Sequence, residues 1–189
     1  MYDSFPIPTA TAGTVPKKIV LVEMAFDVRD GKLQFFCTER SGPKAGKDIN
    51  AFLADLLKDD QPPRRRRKSK WGPLDFRVTE PCYVVLRLAE GGNWRFTQDA
   101  PAITTKGDQT GRFMNLVHVV PKGRDVQTWP GKAPKGVDCR TAYFAIGEVA
   151  PIDKGRSDGF NIFIDFLEVG NRVLSVVIDP DIKNEGPHT

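Results

Sequence analysis

The chain is short of cysteine, histidine, tyrosine and long apolar runs, and each shortage closes off a class of protein. Three cysteines in 189 residues, Cys37, Cys82 and Cys139, are odd in number and far apart. That spacing gives neither a disulfide framework nor the close pairs of a structural zinc site, and it points to a reducing cytoplasm. There are only two histidines. His118 lies inside an alternating pattern, where a satisfied or half-buried side chain is expected, and His188 stands next to the last residue. No Ser-His-Asp or Cys-His-Asn spacing stands out, and Walker, G-x-G-x-x-G and H-E-x-x-H motifs are absent. No run approaches the roughly 18 apolar residues that cross a bilayer, so no membrane role is expected. Residues 1–16 have no basic n-region followed by an apolar h-region; they read as a flexible arm rather than a secretory signal.

What is present is first a charge anomaly. Arg64, Arg65, Arg66, Arg67, Lys68 and Lys70 form one basic run with six positive charges, while the chain nets +4. Taking six from +4 leaves −2 for everything else, so the basic pI belongs to one local segment on a mildly acidic body. Such a run is either a solvated loop, because like charges repel, or a segment that neutralises nucleic-acid phosphate and releases counterions, or a docking site for a protein partner.

Twelve phenylalanines against three tyrosines, with abundant valine, indicate a core built from strands. The clearest segment is Ile19–Thr38. Val20, Val22, Met24, Phe26 and Val28 alternate on one face, with Glu23 and Asp27 on the other. Asp30-Gly31 suits a two-residue turn whose central positions both take positive φ. That turn sets Arg29 opposite Lys32, Val28 opposite Leu33, Phe26 opposite Phe35 and Met24 opposite Cys37.

A second hairpin is expected over Asn161–Asp179 around Gly170-Asn171, pairing Leu167 with Leu174, Ile164 with Val177 and Phe163 with Ile178. Both of its faces are apolar, so it either lies centrally under other segments or meets a second subunit. Phe163, Leu167, Leu174 and Val176 are the candidate self-association residues. Shorter strands are expected at Leu74–Val78, Tyr83–Leu88, Trp94–Gln98, Phe113–Val120 and Thr141–Val149, with Glu90–Asn93 turning Tyr83–Leu88 into the next. One helix, Ile49–Lys58, is capped by Asp48 and carries Ile49, Phe52, Leu53, Leu56 and Leu57 at helical spacing.

The expected fold is therefore all-β: a two-layer antiparallel, jelly-roll-like sandwich of about nine strands with one short helix. It fills residues 17–184 as one domain, with an insertion at 39–72 carrying the helix and the basic loop, and a tail at 185–189. A long connection, Pro121–Cys139, holds Trp129, Lys132 and Lys135; Trp129 either folds back over an open end of the sandwich or, on this lysine-bearing loop, caps a ligand or anchors a partner. Asp179, Asp181, Asn184 and Glu185 do not match a calcium loop, so neither a metal nor a cofactor is expected.

The segment Val176–Asn184, centred on Asp179-Pro180, resembles the closing strand of small bacterial β-sandwich proteins of the DP-EP family and, more distantly, the PixA/AidA inclusion-body proteins. That resemblance implies a jelly-roll-like sandwich in a bacterial cytoplasm with no established activity. With no catalytic constellation in view, the expected function is non-enzymatic: a binding or self-associating protein, a homo-oligomer using its long loops and apolar C-terminal hairpin. The alternative is nucleic-acid association through Arg64–Lys70.

Overall fold

The computed structural model describes residues 4–9, 16, 18–41, 48–58, 76–89, 92–107, 112–147, 157–167, 172–179 and 181–184. The chain enters through a two-residue strand, β1 (Phe5–Pro6), and then forms the expected first hairpin, β2 (Lys18–Arg29) and β3 (Lys32–Ser41). Asp30 and Gly31 take φ of 51° and 69°, the twist that lets two residues reverse a strand pair. All four expected pairings are present: Arg29 with Lys32, Val28 with Leu33, Phe26 with Phe35 and Met24 with Cys37.

Helix α1 (Ile49–Leu56) follows, with the Asp48 carboxylate accepting from the Asn50 amide at 3.2 Å. Then come β4 (Phe76–Val78), β5 (Cys82–Leu88), β6 (Trp94–Phe96), β7 (Ile103–Thr105), β8 (Phe113–Lys122) and β9 (Asp125–Pro130). The last four are β10 (Thr141–Ile146), β11 (Ser157–Leu167), β12 (Val173–Ile178) and β13 (Asp181–Asn184).

Two sheets pack together as an all-β sandwich. One has six strands in the order β3-β2-β5-β10-β8-β9, where β2 and β5 run parallel. The other has seven and is organised around β11, which pairs with β6, β7, β12 and β13. Period-two alternation aims Val22, Met24, Val84, Leu86, Phe113 and Phe144 inward from the first, and Trp94, Phe96, Ile103, Phe160, Ile162 and Ile164 from the second. Fully burying each large side chain contributes about 1.5–3 kcal/mol. Leu53 of α1 closes a second, smaller core over the outer face of the six-stranded sheet, against Ile19, Leu21, Val85 and Val119.

Four expectations change. Thirteen strands are described rather than about nine; of the four not expected, β1, β7 and β13 are two to four residues long, too short to show a period, and β9 lies in the Pro121–Cys139 connection. The Pro121–Cys139 connection is half hairpin, since β8 runs to Lys122 and β9 returns along it through Gly123 at φ 62°. Tyr83–Leu88 does not turn back into Trp94: β5 pairs with β2 and β10, whereas β6 pairs with β11 in the opposite sheet.

The fourth is the C-terminal hairpin, which is displaced by one residue. Leu167 meets Val173, Ile164 meets Val176 and Phe163 meets Val177. A one-residue shift exchanges the faces of the returning strand. Leu174, Val176 and Ile178 therefore share the inward face with Ile162 and Ile164, while Val173, Ser175 and Val177 share the outer face with Phe163 and Asp165. The resulting strand set is compatible with a protein filled by one interior, and the site lies on its outside.

Candidate site on the outer face of the seven-stranded sheet

Strand β11 buries Phe160, Ile162 and Ile164 on one side, so its alternate residues Asn161, Phe163, Asp165 and Leu167 face away from the core. One of these, Asp165, is a charged residue that is nonetheless buried. A buried carboxylate must be paired or hydrogen-bonded to persist, and Asp165 is both. Thr97 and Ser175 donate hydroxyls to its Oδ1 at 2.9 and 2.8 Å. Its Oδ2 lies 3.9 Å from Arg95 Nε. The guanidinium in turn donates through Nη1 to Asp138 Oδ1 at 3.0 Å.

Strand register explains the assembly. Asp165 stands opposite Arg95 on β6 and opposite Ser175 on β12. Asp138 comes from the segment beyond β6, where Phe96 N donates to Cys139 O and Gln98 Nε2 donates to Val137 O. The four side chains form one row across four neighbouring chain segments: acid, base, acid, hydroxyl.

The row is not saturated. Arg95 Nε is buried without a hydrogen bond, and arginine has five donors in a planar fork suited to a phosphate or carboxylate. Asp138 opens the row to solvent, its side chain 55% exposed. Lys132 and Lys135 are exposed on the same connection, with Lys135 Nζ 3.8 Å from Asp99 Oδ2. The arrangement is a cation held by a fixed carboxylate beside an accessible second carboxylate. Such a set can neutralise an anionic group and orient it.

Other polar groups are buried elsewhere. His118 is fully enclosed on β8, facing the main core edge-on to Phe96 at 6.1 Å. Trp129 stands opposite it on β9, yet no hydrogen bond forms at either ring nitrogen. Burial lowers its pKa to about 4, opposed by the Trp129 backbone, which lies close to the ring without the geometry of a formed hydrogen bond. His118 is buried as the alternation implies, but it is not satisfied. Burial pushes the Cys139 thiol up to about 11, although its sulfur approaches the Thr141 and Val119 carbonyls at 3.3 and 3.5 Å.

On the outer face of the six-stranded sheet, Arg87 Nη1 lies 3.8 Å from Glu23 Oε1 and both are buried. Glu23 is thus on a covered face, not a solvated one, because α1 lies over the same side of the sheet. Tyr83 packs edge-on against Tyr143, and burial raises both phenols, followed by the Asp48 charge at Tyr83 and by Tyr83 and then Asp48 at Tyr143. Among the described residues no three His, Cys, Asp or Glu side chains are grouped to hold a metal ion.

The sequence candidates are scattered by this geometry. Arg64, Arg65, Arg66, Arg67, Lys68 and Lys70 lie outside the described residues. Trp129 is half-buried on β9 rather than poised on a loop, while Lys132 and Lys135 are exposed on the connection that carries Asp138. Phe163 and Leu167 are half-buried on the outer face, Leu174 is exposed, and Val176 turns inward against the main core. These four do not form one surface. The row's own members were missed. Their one signal is Asp165, the single charge within the otherwise uncharged stretch Asn161–Leu167.

A protein-family model described as "Predicted novel nucleotide synthetase" matches residues 17–187. No curated protein matches the chain. The family match covers most of the length and overturns the expectation of a non-enzymatic protein of unknown function. The absence of a familiar catalytic motif carried that expectation, and motifs report only residues that are close in sequence. The matched family is different from the two expected from Val176–Asn184.

Proposed function

The chain belongs to the family described as a predicted novel nucleotide synthetase, and from that membership we propose that it is an enzyme forming a phosphate-linked bond on a nucleotide, at the Asp138–Arg95–Asp165–Ser175 row. The observation that supports this site is the half-buried Arg95 guanidinium, held between two carboxylates with its buried Nε donor unused. Building a nucleotide brings together groups of high negative charge, and the usual obstacle is stabilising that charge while it shifts between oxygens.

In this reading Arg95 takes the phosphate. Asp165 is a positioning residue: Thr97 and Ser175 fix its carboxylate, and the carboxylate fixes the arginine. Asp138, the accessible carboxylate of the row, accepts the proton of an attacking hydroxyl as the new oxygen–phosphorus bond forms and the phosphate or pyrophosphate leaving group departs with its electron pair. Lys132 and Lys135 draw the polyphosphate toward the row. We place the enzyme in the cytoplasm. All three cysteines are outside disulfides, which supports a reducing compartment. No helix among the described residues is long and apolar enough to cross a membrane.

The test is incubation of the purified protein with each nucleoside triphosphate and Mg²⁺, with products resolved by ion-pair chromatography and mass spectrometry. A new nucleotide product should form, and Arg95→Ala should reduce its rate about 10²-fold, the usual loss when one donor to a transition-state anion is removed. Asp165→Asn should fall with it, both variants keeping a wild-type circular dichroism spectrum. Wild-type rates in both would remove the site. No nucleotide consumed under any pairing would remove the activity.

A further inference from the structure

Strand β12 pairs with β11 along one side, and no strand among the described residues pairs with its other side. An unpaired edge exposes a row of backbone donors and acceptors, and proteins normally blunt such edges with charge or proline. The remaining edge strands follow that rule. β3 carries Lys32, Glu39 and Arg40, β4 carries Arg77, β1 contains Pro6, and β9 begins at Asp125 and ends at Pro130. β12 reads Val-Leu-Ser-Val-Val-Ile, with neither. Its Val173, Leu174 and Val177 are 49%, 53% and 44% exposed.

We propose that β12 pairs antiparallel with β12 of a second copy of this chain, about a two-fold axis at Ser175. The strand's own pattern selects this partner. A two-fold normal to the sheet keeps outer residues on the outer face, so only registers of matching parity are allowed. Centred on Ser175, Val173 of each copy lies opposite Val177 of the other, and Leu174 opposite Val176. Arg172 begins the edge, exposed, and Asp179 ends it, already paired with Lys106 of its own chain, so antiparallel pairing brings Arg172 of each copy beside that ion pair of the other.

One consequence rests on the reading of the row as the reacting site. Asp165 stands opposite Ser175, so the two rows meet end to end at the axis on one continuous outer face. Three strand spacings, each about 4.8 Å, put the two Asp165 residues about 14 Å apart. Two nucleotide sites would then share one surface.

Light scattering on gel filtration tests the pairing without reading activity, so its failure is separate from failure of the proposed chemistry. The wild-type protein should run at twice its 21.0 kDa chain mass, and Val177→Lys should run at the single mass with an unchanged circular dichroism spectrum. The register is read by oxidation of a Val173→Cys, Val177→Cys double variant. It should convert to a covalent dimer, whereas the wild-type protein and Val173→Cys alone should not. A wild-type mass of 21.0 kDa at every soluble concentration overturns the proposal. So does a dimer that Val177→Lys leaves intact, or one that the double variant does not cross-link.

Discussion

His118 illustrates how far a single residue departs from what its neighbours in sequence suggest. Alternation with Leu116 and Val120 places it inward, and it is inward, but nothing in a strand pattern announces that both ring nitrogens go without partners. Its pKa is lowered to about 4, first by burial, so between about pH 4 and 6.5 the unfolded chain binds a proton that the folded chain does not. Its contribution is therefore undiminished above pH 6.5 and is lost as pH falls toward 4, by up to about 3 kcal/mol. Urea denaturation across that range should show the loss, and His118→Phe should flatten it by removing the titrating ring. Gly92 makes a different demand. A Cβ there would sit 2.7 Å from the Trp94 indole and 2.8 Å from the Phe26 ring. Neither ring can withdraw, since Trp94 is buried with its Nε1 donating to Ala89 O and Phe26 packs edge-on to it at 4.9 Å. Gly92→Ala should destabilise by about 1–3 kcal/mol in the same measurement.

Elements were legible where their determinants are local. Asp30-Gly31 fixes the first hairpin because the turn chemistry lies in two adjacent residues. The Asp48 cap with apolar residues at helical spacing fixes α1 in the same way. What the helix covers is not local: Leu53 meets strands contributed by residues 19–21, 85 and 119. Leu53→Ala should cost about 2–5 kcal/mol through the cavity it leaves. Asp48→Ala, at the exposed cap, should cost about 1 kcal/mol. Equal effects in denaturant would show that α1 is held by its cap rather than by the sheet. The C-terminal hairpin marks the boundary of legibility. Both its faces are apolar, so a one-residue shift leaves hydrophobicity almost unchanged, and the pattern cannot choose between registers. The observed register is the one that places Ser175, rather than Val176, opposite Asp165, and a buried carboxylate discriminates where valine and leucine do not.

Across the whole molecule, thiol reactivity reports the layering. Cys82 and Cys139 lie inside the sandwich, the latter with its thiol pushed up to about 11 by burial, whereas Cys37 is half-buried. A native thiol titration at pH 8 should modify Cys37 alone, and denaturant should expose all three, because thiolate and access are both needed for reaction. Rapid native modification of Cys139 would mean that the two sheets separate at that end. The candidate site belongs to this same scale. Alternation, one turn and one cap settled that the chain makes two stacked β-layers with a small helix, since each of those signals acts over a few adjacent residues. Which sheet receives Trp94, how β12 registers on β11, and that Arg95, Asp138, Asp165 and Ser175 stand in one row were decided only by the folded molecule. Those side chains meet through strand pairs between distant segments, and the register of such pairs is chosen by the energy of the whole interior.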